Sequence, residues 1–216
     1  MELKVVYDNE SKAGYKRDWG FSCLVDGRIL FDMGTNPSIL LYNMNMFDIQ
    51  LERIETVIFS HEHGDHTGGY PVIRDLGEVD VYVLRSFSRG FKEMLSSMPN
   101  VNLNEIKGSA AINDNIYTTG ELGFFIKEQS LLIKTGNGIT VLTGCSHPGL
   151  DKILSVASKF GKVYAVIGGF HGFSKLEVLS DLDLIVPCHC TARKREILRR
   201  YPDKSLECYA GLELEV

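Results

Sequence analysis

The sequence lacks any run approaching the roughly 18 consecutive apolar residues that a membrane-spanning helix needs. It also lacks an excess of basic residues, because its net charge is −5, and this excludes the electrostatic footprint of a nucleic-acid-binding protein. Residues 1–6 do not show the basic and then apolar pattern of a signal peptide. We therefore expect a cytoplasmic protein that binds neither membranes nor nucleic acid.

Cysteines are few and widely scattered, and their number is odd. This distribution argues against a disulfide framework. Cys188 and Cys190 are separated by one residue, too close for the usual Cys-x-x-Cys zinc or redox pair. The five cysteines are Cys23, Cys145, Cys188, Cys190 and Cys208.

The sequence contains no repeat, no low-complexity segment and no proline-rich linker. Its 216 residues are 44% hydrophobic, which is enough to bury a sizeable core. We therefore predict a single domain that spans residues 1–216.

Short apolar runs bounded by glycine and asparagine predict most of the secondary structure as strands. Asp26-Gly27 separates two of these runs and predicts a two-residue hairpin turn. The predicted strands cover residues 3–6, 23–25, 29–31, 56–59, 79–84, 131–134, 139–142, 163–167 and 184–186. Helical spacing predicts helices at residues 150–157, near 176–182, and from a cap at Thr191 to Tyr201. Strand-rich halves that each lead into helices indicate an α/β fold.

The most specific feature of the sequence is a cluster of three imidazoles and two carboxylates at residues 61–66. Histidine nitrogens and carboxylate oxygens are the ligands that zinc and similar divalent ions prefer. The cluster follows a predicted buried strand, so its side chains project from a loop at that strand's carboxyl end. We predict a metal site here, with Glu62 pointing away from the metal.

The other three histidines, His147, His171 and His189, also each follow a predicted strand. A single such histidine is commonly a hydrogen-bonded core or loop residue. Three histidines in equivalent places instead favour a shared functional role at one edge of the sheets.

The motif His61-x-His63-x-Asp65-His66 follows an apolar strand, and Phe31-Asp32-Met33-Gly34 follows a hairpin. Together they resemble the metallo-β-lactamase superfamily, and the resemblance covers nearly the whole chain. It implies an α/β fold of the αββα four-layer sandwich type, with the metal site along one edge of the sheets.

Further motifs resemble the branch of this superfamily that contains the dihydropterin synthases of the methanopterin pathway. These motifs are Trp19-Gly20-Phe21-Ser22, Gly120-Glu121, Glu128-Gln129-Ser130-Leu131, Gly144-Cys145-Ser146-His147, Gly168-Gly169-Phe170-His171 and Cys188-His189-Cys190-Thr191.

The resemblance implies two divalent ions, zinc foremost, with iron, manganese or magnesium as alternatives. The implied ligands of the first ion are His61, His63 and His147, and those of the second are Asp65, His66 and His189. Cys145 occupies the position of the usual bridging aspartate. Its thiolate would bind zinc well, and a small buried cysteine is the alternative interpretation.

Asp32 is the candidate partner that orients a ligating imidazole; alternatively, it shapes the turn beside Gly34. We expect Asp65 and His171 to be the catalytic residues. His171 could hold substrate, act as a general acid or cap its loop. Arg193 and Lys194 begin the last predicted helix and could bind a phosphate; the alternative, and the commoner case, is a solvated helix face balanced by Glu196 and Asp203.

A dinuclear site of this kind predicts a hydrolase that activates water against an ester or phosphoester. The substrate would be a small molecule, with a phosphorylated one as an option. One alternative is a synthase-like transferase, in which the metals clamp a diphosphate leaving group. Another is a non-catalytic metal- or ligand-binding module. A flavodiiron-type oxidoreductase shares the fold but needs a flavin domain for which this chain has no room.

Overall fold

The computed structural model describes residues 1–216 and contains thirteen β-strands, five α-helices and three short 3₁₀ helices. The strands are β1 (Glu2–Tyr7), β2 (Ser22–Val25), β3 (Ile29–Phe31), β4 (Thr56–Ile58), β5 (Val79–Leu84), β6 (Val101–Ile106), β7 (Ala110–Ala111), β8 (Ile116–Thr118), β9 (Leu131–Thr135), β10 (Gly138–Thr143), β11 (Val163–Gly169), β12 (Leu184–Cys188) and β13 (Leu212–Glu215). The α-helices are α1 (Pro37–Met46), α2 (Gly64–Thr67), α3 (Arg89–Ser96), α4 (Leu150–Ala157) and α5 (Lys194–Arg200). The 3₁₀ helices are Leu51–Arg53, Tyr70–Asp75 and Leu176–Leu179.

The chain folds into two compact units. Unit 1 comprises residues 1–107 and 209–215, and unit 2 comprises residues 108–208 together with residue 216. The single domain spanning residues 1–216 stays a prediction. None of the helices is both long and apolar enough to cross a membrane.

Unit 1 contains a seven-stranded sheet in the order β13-β1-β2-β3-β4-β5-β6. Strands β3 to β6 are parallel, and Phe31 of β3 stands opposite Ile58 of β4. Both strands therefore end at the same edge of the sheet. As a result, Asp32 after β3 lies beside the loop after β4, where its backbone N–H donates to the Ile58 carbonyl over 2.9 Å.

The predicted hairpin between β2 and β3 is confirmed. Asp26 and Gly27 have φ angles of 49° and 66°, and this left-handed pair matches the twist of the two strands. The helix that follows β3 was not predicted. It starts at Pro37, and the side chain of Asn36 caps it by accepting a hydrogen bond of 2.9 Å from Ser38 N.

Unit 2 contains a six-stranded sheet in the order β12-β11-β10-β9-β8-β7. Strands β10, β11 and β12 are parallel, with Thr143 opposite Gly168 and Gly169 opposite Cys188. The loops after β10 and β12 thus begin on either side of the end of β11. This placement brings the two cysteine- and histidine-containing loops of unit 2 together.

Helix α4 packs its apolar face into the core of unit 2, as its sequence spacing predicts. Leu150, Ile153 and Ala157 are fully buried in that core. Two other helix predictions need correction. Residues 176–179 form a 3₁₀ helix, and α5 begins at Lys194 rather than after a Thr191 cap.

Thr191 does not cap α5 because its hydroxyl is engaged elsewhere. The hydroxyl donates to the Cys188 carbonyl over 2.6 Å and accepts from Phe170 N over 3.0 Å. It therefore ties the loop after β12 to the end of β11.

Candidate metal centre

The N-terminal cluster, defined as His61, His63, Asp65 and His66, lies in the loop after β4 and in α2. His61 and His66 are fully buried, with ring centroids 4.2 Å apart. His61 Nε2 lies 3.1 Å from His63 Nδ1, and His66 Nε2 lies 3.9 Å from Asp65 Oδ2. Imidazoles packed this closely around a carboxylate form a donor set that suits a divalent ion.

The buried carboxylate of Asp32 organises the N-terminal cluster. Its two oxygens accept hydrogen bonds of 2.7 Å from Ser60 N and Ser60 Oγ, and Oδ2 also lies 2.7 Å from His66 Nδ1. Because a carboxylate only accepts, we assign the His66 proton to Nδ1 and its lone pair to Nε2, the nitrogen nearer Asp65. Asp32 also has a left-handed φ of 56°, so the orienting and the turn-forming interpretations both describe its geometry.

Trp19 holds Asp65, a contact that the sequence did not reveal. The indole Nε1 donates to Asp65 Oδ2 over 2.9 Å, and Phe21 N donates to the Asp65 carbonyl over 3.2 Å. Gly20, between them, has a φ of +147°, and a Cβ there would lie 2.6 Å from the Asp65 carbonyl oxygen. Glycine is therefore required for this close approach.

The loop that carries Trp19 is itself anchored by Tyr7. Burial raises the pKa of Tyr7 to about 12, so its hydroxyl stays protonated at neutral pH. It donates to Asp18 Oδ2 over 3.2 Å and accepts from Asn36 N over 3.1 Å. Asp18 Oδ1 in turn accepts from Trp19 N over 2.8 Å. The position of Asp65 thus depends on a buried tyrosine far from it in sequence.

A Trp19→Phe variant is expected to weaken metal binding while leaving the fold intact. Phenylalanine keeps an aromatic ring at this half-exposed position but removes the indole donor to Asp65. Losing such an outer hydrogen bond commonly lowers metal affinity about 10-fold or more. Titrating the metal-free variant with Zn²⁺ against a competing chelator measures the change. An affinity equal to that of the wild type would exclude this role for Trp19.

Glu62 points away from the cluster, as predicted. Its carboxylate accepts hydrogen bonds from the backbone N–H and the hydroxyl of Ser88. Ser88 is the N-cap of α3, where its hydroxyl accepts from Phe91 N over 3.3 Å. Glu62 therefore stabilises the N-terminus of α3.

The C-terminal cluster, defined as Cys145, His147 and His189, lies in unit 2. The Cys145 sulfur lies within 4.8 Å of a ligand nitrogen of His147 and of one of His189. Cys145 and His189 are buried, and His147 is partly buried. His189 follows β12 with a φ of 44°, so its loop turns sharply as soon as the strand ends. A thiol and two imidazoles of this kind are zinc-ligand types.

Glu128 holds Cys145 and His147 of this cluster in position through hydrogen bonds. It is the main functional residue that sequence reasoning missed. The side chain is 1% exposed. Its Oε1 accepts from the backbone N–H groups of Cys145 and Ser146, both over 2.8 Å. Its Oε2 accepts from His147 N and lies 2.9 Å from His147 Nδ1. We therefore assign the His147 proton to Nδ1 and the lone pair to Nε2.

A signal for Glu128 was present in the sequence. The residue lies in the Glu128-Gln129-Ser130-Leu131 motif, immediately before an apolar strand, and charged residues are seldom fully buried unless they are paired. Its partners, however, lie 17 to 19 residues further along the chain. The spacing alone could not identify them.

His171 is exposed and lies near His147, with ring centroids 5.1 Å apart. Both histidines line an open cleft of about 480 Å³ in unit 2, and Lys152 and Lys175 also line it. Lys175 forms an ion pair of 2.7 Å with Asp151. Hydrogen bonding within this pair raises the pKa of Lys175 and lowers that of Asp151. Because His171 is exposed and lines the cleft, its imidazole can contact a ligand bound there.

Arg193 and Lys194, predicted to bind substrate, make other contacts. Arg193 Nη1 donates to Glu196 Oε2 over 2.8 Å, and Lys194 Nζ donates to the Cys208 carbonyl over 2.9 Å. The first contact is the helix-face pairing that the alternative interpretation describes. A role for these two residues in substrate binding stays a prediction.

No protein-family model matches the chain. A solved structure described as a metal-dependent hydrolase of the β-lactamase superfamily is 30% identical, covers 100% of this chain and 99% of its own, and superposes with a TM-score of 0.84. The 7,8-dihydropterin-6-methyl-4-(β-D-ribofuranosyl)-aminobenzene-5'-phosphate synthase of Methanocaldococcus jannaschii is 28% identical, in an alignment that covers 90% of this chain and 89% of the synthase. A metallo-β-lactamase fold protein from Bacillus subtilis, 12% identical, superposes with a TM-score of 0.72 over 99% of each chain.

The chain belongs to the metallo-β-lactamase superfamily. The predicted fold class is confirmed, since two sheets with flanking helices and these structural neighbours agree with it. The resemblance to the dihydropterin synthase branch is confirmed as well. Membership of this superfamily implies binding of divalent metal, and the side chains of His61, Asp65, His66, Cys145, His147 and His189 offer ligand atoms that could hold such an ion.

Proposed function

We propose that the protein is a metal-dependent hydrolase that binds two divalent ions, zinc foremost. The proposed ligands are His61, His63, Asp65 and His66 in the N-terminal cluster and Cys145, His147 and His189 in the C-terminal cluster. Superfamily membership and the donor chemistry within each cluster support this assignment.

One observation carries the proposal. In each unit a buried carboxylate contacts the Nδ1 of a candidate ligand, Asp32 with His66 over 2.7 Å and Glu128 with His147 over 2.9 Å. A metal-ligating histidine almost always donates its second N–H to such an oxygen, which fixes the tautomer and aims the lone pair. A histidine that merely packs in a core needs no buried carboxylate, and such a carboxylate costs several kcal/mol to desolvate.

Bound divalent ions supply Lewis-acid chemistry, which activates water near neutral pH and stabilises negative charge that develops on the substrate. The protein's own side chains would orient the water and the substrate and would accept and donate the protons. We assign to Asp65, held by Trp19, the role of orienting the attacking water and accepting its proton. We assign to His171 at the cleft of unit 2 the role of a general acid that donates a proton to the leaving group.

The proposed substrate is a small molecule with an ester or phosphoester group. The cleft beside His147 and His171 supports this choice because Lys152 on its wall can attract an anionic group, whereas Lys175 is paired with Asp151 on the same wall. Arg193 and Lys194 are a second proposed location for phosphate contacts. The protein is also proposed to act in the cytoplasm, on a substrate that is neither nucleic acid nor membrane.

Elemental analysis and hydrolysis assays test the proposal together. We expect about two equivalents of zinc, iron or manganese in protein purified under metal-replete conditions. We also expect metal-dependent hydrolysis of at least one of p-nitrophenyl acetate, p-nitrophenyl phosphate and bis-p-nitrophenyl phosphate. Failure to retain any metal would support the non-catalytic module instead.

A second candidate function is a pterin-condensing transferase, and the likeness to the archaeal synthase over 90% of this chain favours it. In this reaction the ions would neutralise a diphosphate leaving group while an aminobenzene nucleophile attacks the pterin methylene. Incubation with a dihydropterin methyl diphosphate and a ribofuranosylaminobenzene phosphate distinguishes the two functions. Release of diphosphate that requires the aminobenzene indicates the transferase, whereas release without it indicates hydrolysis.

A Cys145→Ser variant tests whether the thiolate is a ligand. Serine keeps the size of this buried side chain but binds zinc far more weakly than a thiolate. We expect metal content to fall from about two equivalents to one, with little change in thermal stability of the metal-free protein. Elemental analysis gives the answer directly, and an unchanged second equivalent would mean that Cys145 is only a packing residue.

A further inference from the structure

Cys145 and Cys190 lie next to each other although 45 residues separate them, and their sulfur atoms are 3.1 Å apart. A disulfide bond is about 2.05 Å long, so the two sulfurs need to approach by roughly 1 Å to form one. The cysteines occupy the loops after β10 and β12, which flank the end of β11. Sequence spacing gave no reason to pair them.

Gly169 provides the space for this pair. A Cβ at this position would lie 2.7 Å from the Cys190 sulfur and 3.3 Å from Cys145 Cα. The same Cβ would lie 2.4 Å from the Gly144 carbonyl oxygen, so a larger residue would clash with both the backbone and the Cys190 thiol. Ser146 Oγ also donates to the Gly169 carbonyl over 2.8 Å, which holds the Cys145 loop against the end of β11.

The two thiols differ in their access to solvent. Cys145 is 2% exposed, whereas Cys190 is partly exposed. An oxidant from solution therefore meets Cys190 first, and the buried sulfur of Cys145 is already in position to attack it. This is the arrangement of a reactive thiol beside a resolving one.

We propose that Cys145 and Cys190 form a redox-active pair that closes into a reversible intramolecular disulfide. With a peroxide as oxidant, the Cys190 thiolate attacks one oxygen of H₂O₂ and becomes a sulfenic acid, and the other oxygen leaves as hydroxide and is protonated to water. The Cys145 thiol then attacks the Cys190 sulfur, forming the S–S bond and releasing a second water. Overall, two thiols lose two electrons to the peroxide. A small dithiol such as dithiothreitol restores both thiols by disulfide exchange.

The consequence for the metal rests on the proposed function. A sulfur in a disulfide no longer binds metal as a thiolate. Oxidation is therefore expected to lower the metal content of the loaded protein from about two equivalents to one. Reduction in the presence of Zn²⁺ should restore it. Cys190 would thus act as a redox control on the metal site.

Peptide mass mapping under non-reducing conditions tests the pair on metal-free protein, so this readout does not depend on the proposed function. After stoichiometric H₂O₂, we expect a cross-linked Cys145–Cys190 peptide, two hydrogen atoms lighter than the sum of its parts and cleaved by dithiothreitol. The Cys23→Ser variant should give the same peptide. A cross-link between other cysteines, or none, would overturn the proposal.

Metal analysis of loaded protein then tests the switch. Wild type and Cys23→Ser should each lose about one equivalent on oxidation, and Cys190→Ser should lose none under the same treatment. Equal loss from Cys190→Ser and wild type would refute the switch. If the cross-link forms but no preparation ever contains metal, the redox pair stands and the proposed hydrolase falls.

Discussion

A His63→Ala variant is expected to lose metal and all measurable activity. His63 is exposed, so removing its ring leaves no cavity in the core, and the free energy of unfolding of the metal-free protein should hardly change. The ring that is lost lies 3.1 Å from His61 Nε2, inside the N-terminal cluster. We expect turnover to fall by a factor of about 1000 or more, equivalent to ~4 kcal/mol of transition-state stabilisation.

Glu62→Ala is the matched control because it changes the neighbouring residue in the same loop. Glu62 contacts Ser88 rather than the imidazoles, so metal content and turnover should stay near those of the wild type. Loss of its hydrogen bonds at the start of α3 should cost about 1 kcal/mol of folding stability. Elemental analysis and thermal melting separate these effects. Comparable metal loss in both variants would show that the side chains are assigned to the wrong faces of the loop.

A Glu128→Gln variant is expected to be the most damaging change in unit 2. The carboxylate accepts from three consecutive backbone N–H groups, of residues 145–147, and contacts His147 Nδ1. The glutamine amide presents one oxygen and one NH₂ group, so donors then face donors in a buried site. Leaving such groups unsatisfied costs roughly 2–4 kcal/mol of folding stability. Metal affinity should also fall about 10- to 100-fold, because His147 loses its orienting partner.

Denaturant unfolding of the metal-free protein and zinc titration of the folded protein separate the two effects of Glu128→Gln. Glu177→Gln is the control, since Glu177 is an exposed residue of the same unit and neutralises the same charge. The control should match wild type in both measurements. If Glu128→Gln lowered the free energy of unfolding but left the zinc affinity unchanged, Glu128 would be a structural residue of the loop. It would then not be a positioning residue of the metal site.

The N-terminal cluster could be predicted because its information is local. His61, His63, Asp65 and His66 lie within six residues, directly after an apolar strand, so their spacing alone brings donor atoms together. Helix α4 was predictable for a similar reason, since its buried positions repeat with the helical period. In both cases the residues that contact one another lie within a few positions of each other in the sequence.

Other parts of the site escaped prediction because their contacts join distant segments. Trp19 reaches Asp65 across 46 positions in the sequence, and Cys190 reaches Cys145 across 45. Thr191 looked like a helix cap in sequence, yet its hydroxyl accepts a hydrogen bond from Phe170 N, 21 residues earlier, and donates locally to the Cys188 carbonyl. The preference of threonine for a helix N-cap is therefore overridden here, because its hydroxyl has other hydrogen-bond partners.

The fold class, the strand ends that carry the histidines and the donor chemistry of the N-terminal cluster could all be inferred from the sequence. The contacts of Asp32 with His66, of Glu128 with His147 and of Cys145 with Cys190 appear only in the folded chain. The physical reason is that strand register sets which loops meet. In unit 2 the pairing of Thr143 with Gly168 and of Gly169 with Cys188 brings two separate loops to one strand end. No spacing along the chain records that pairing.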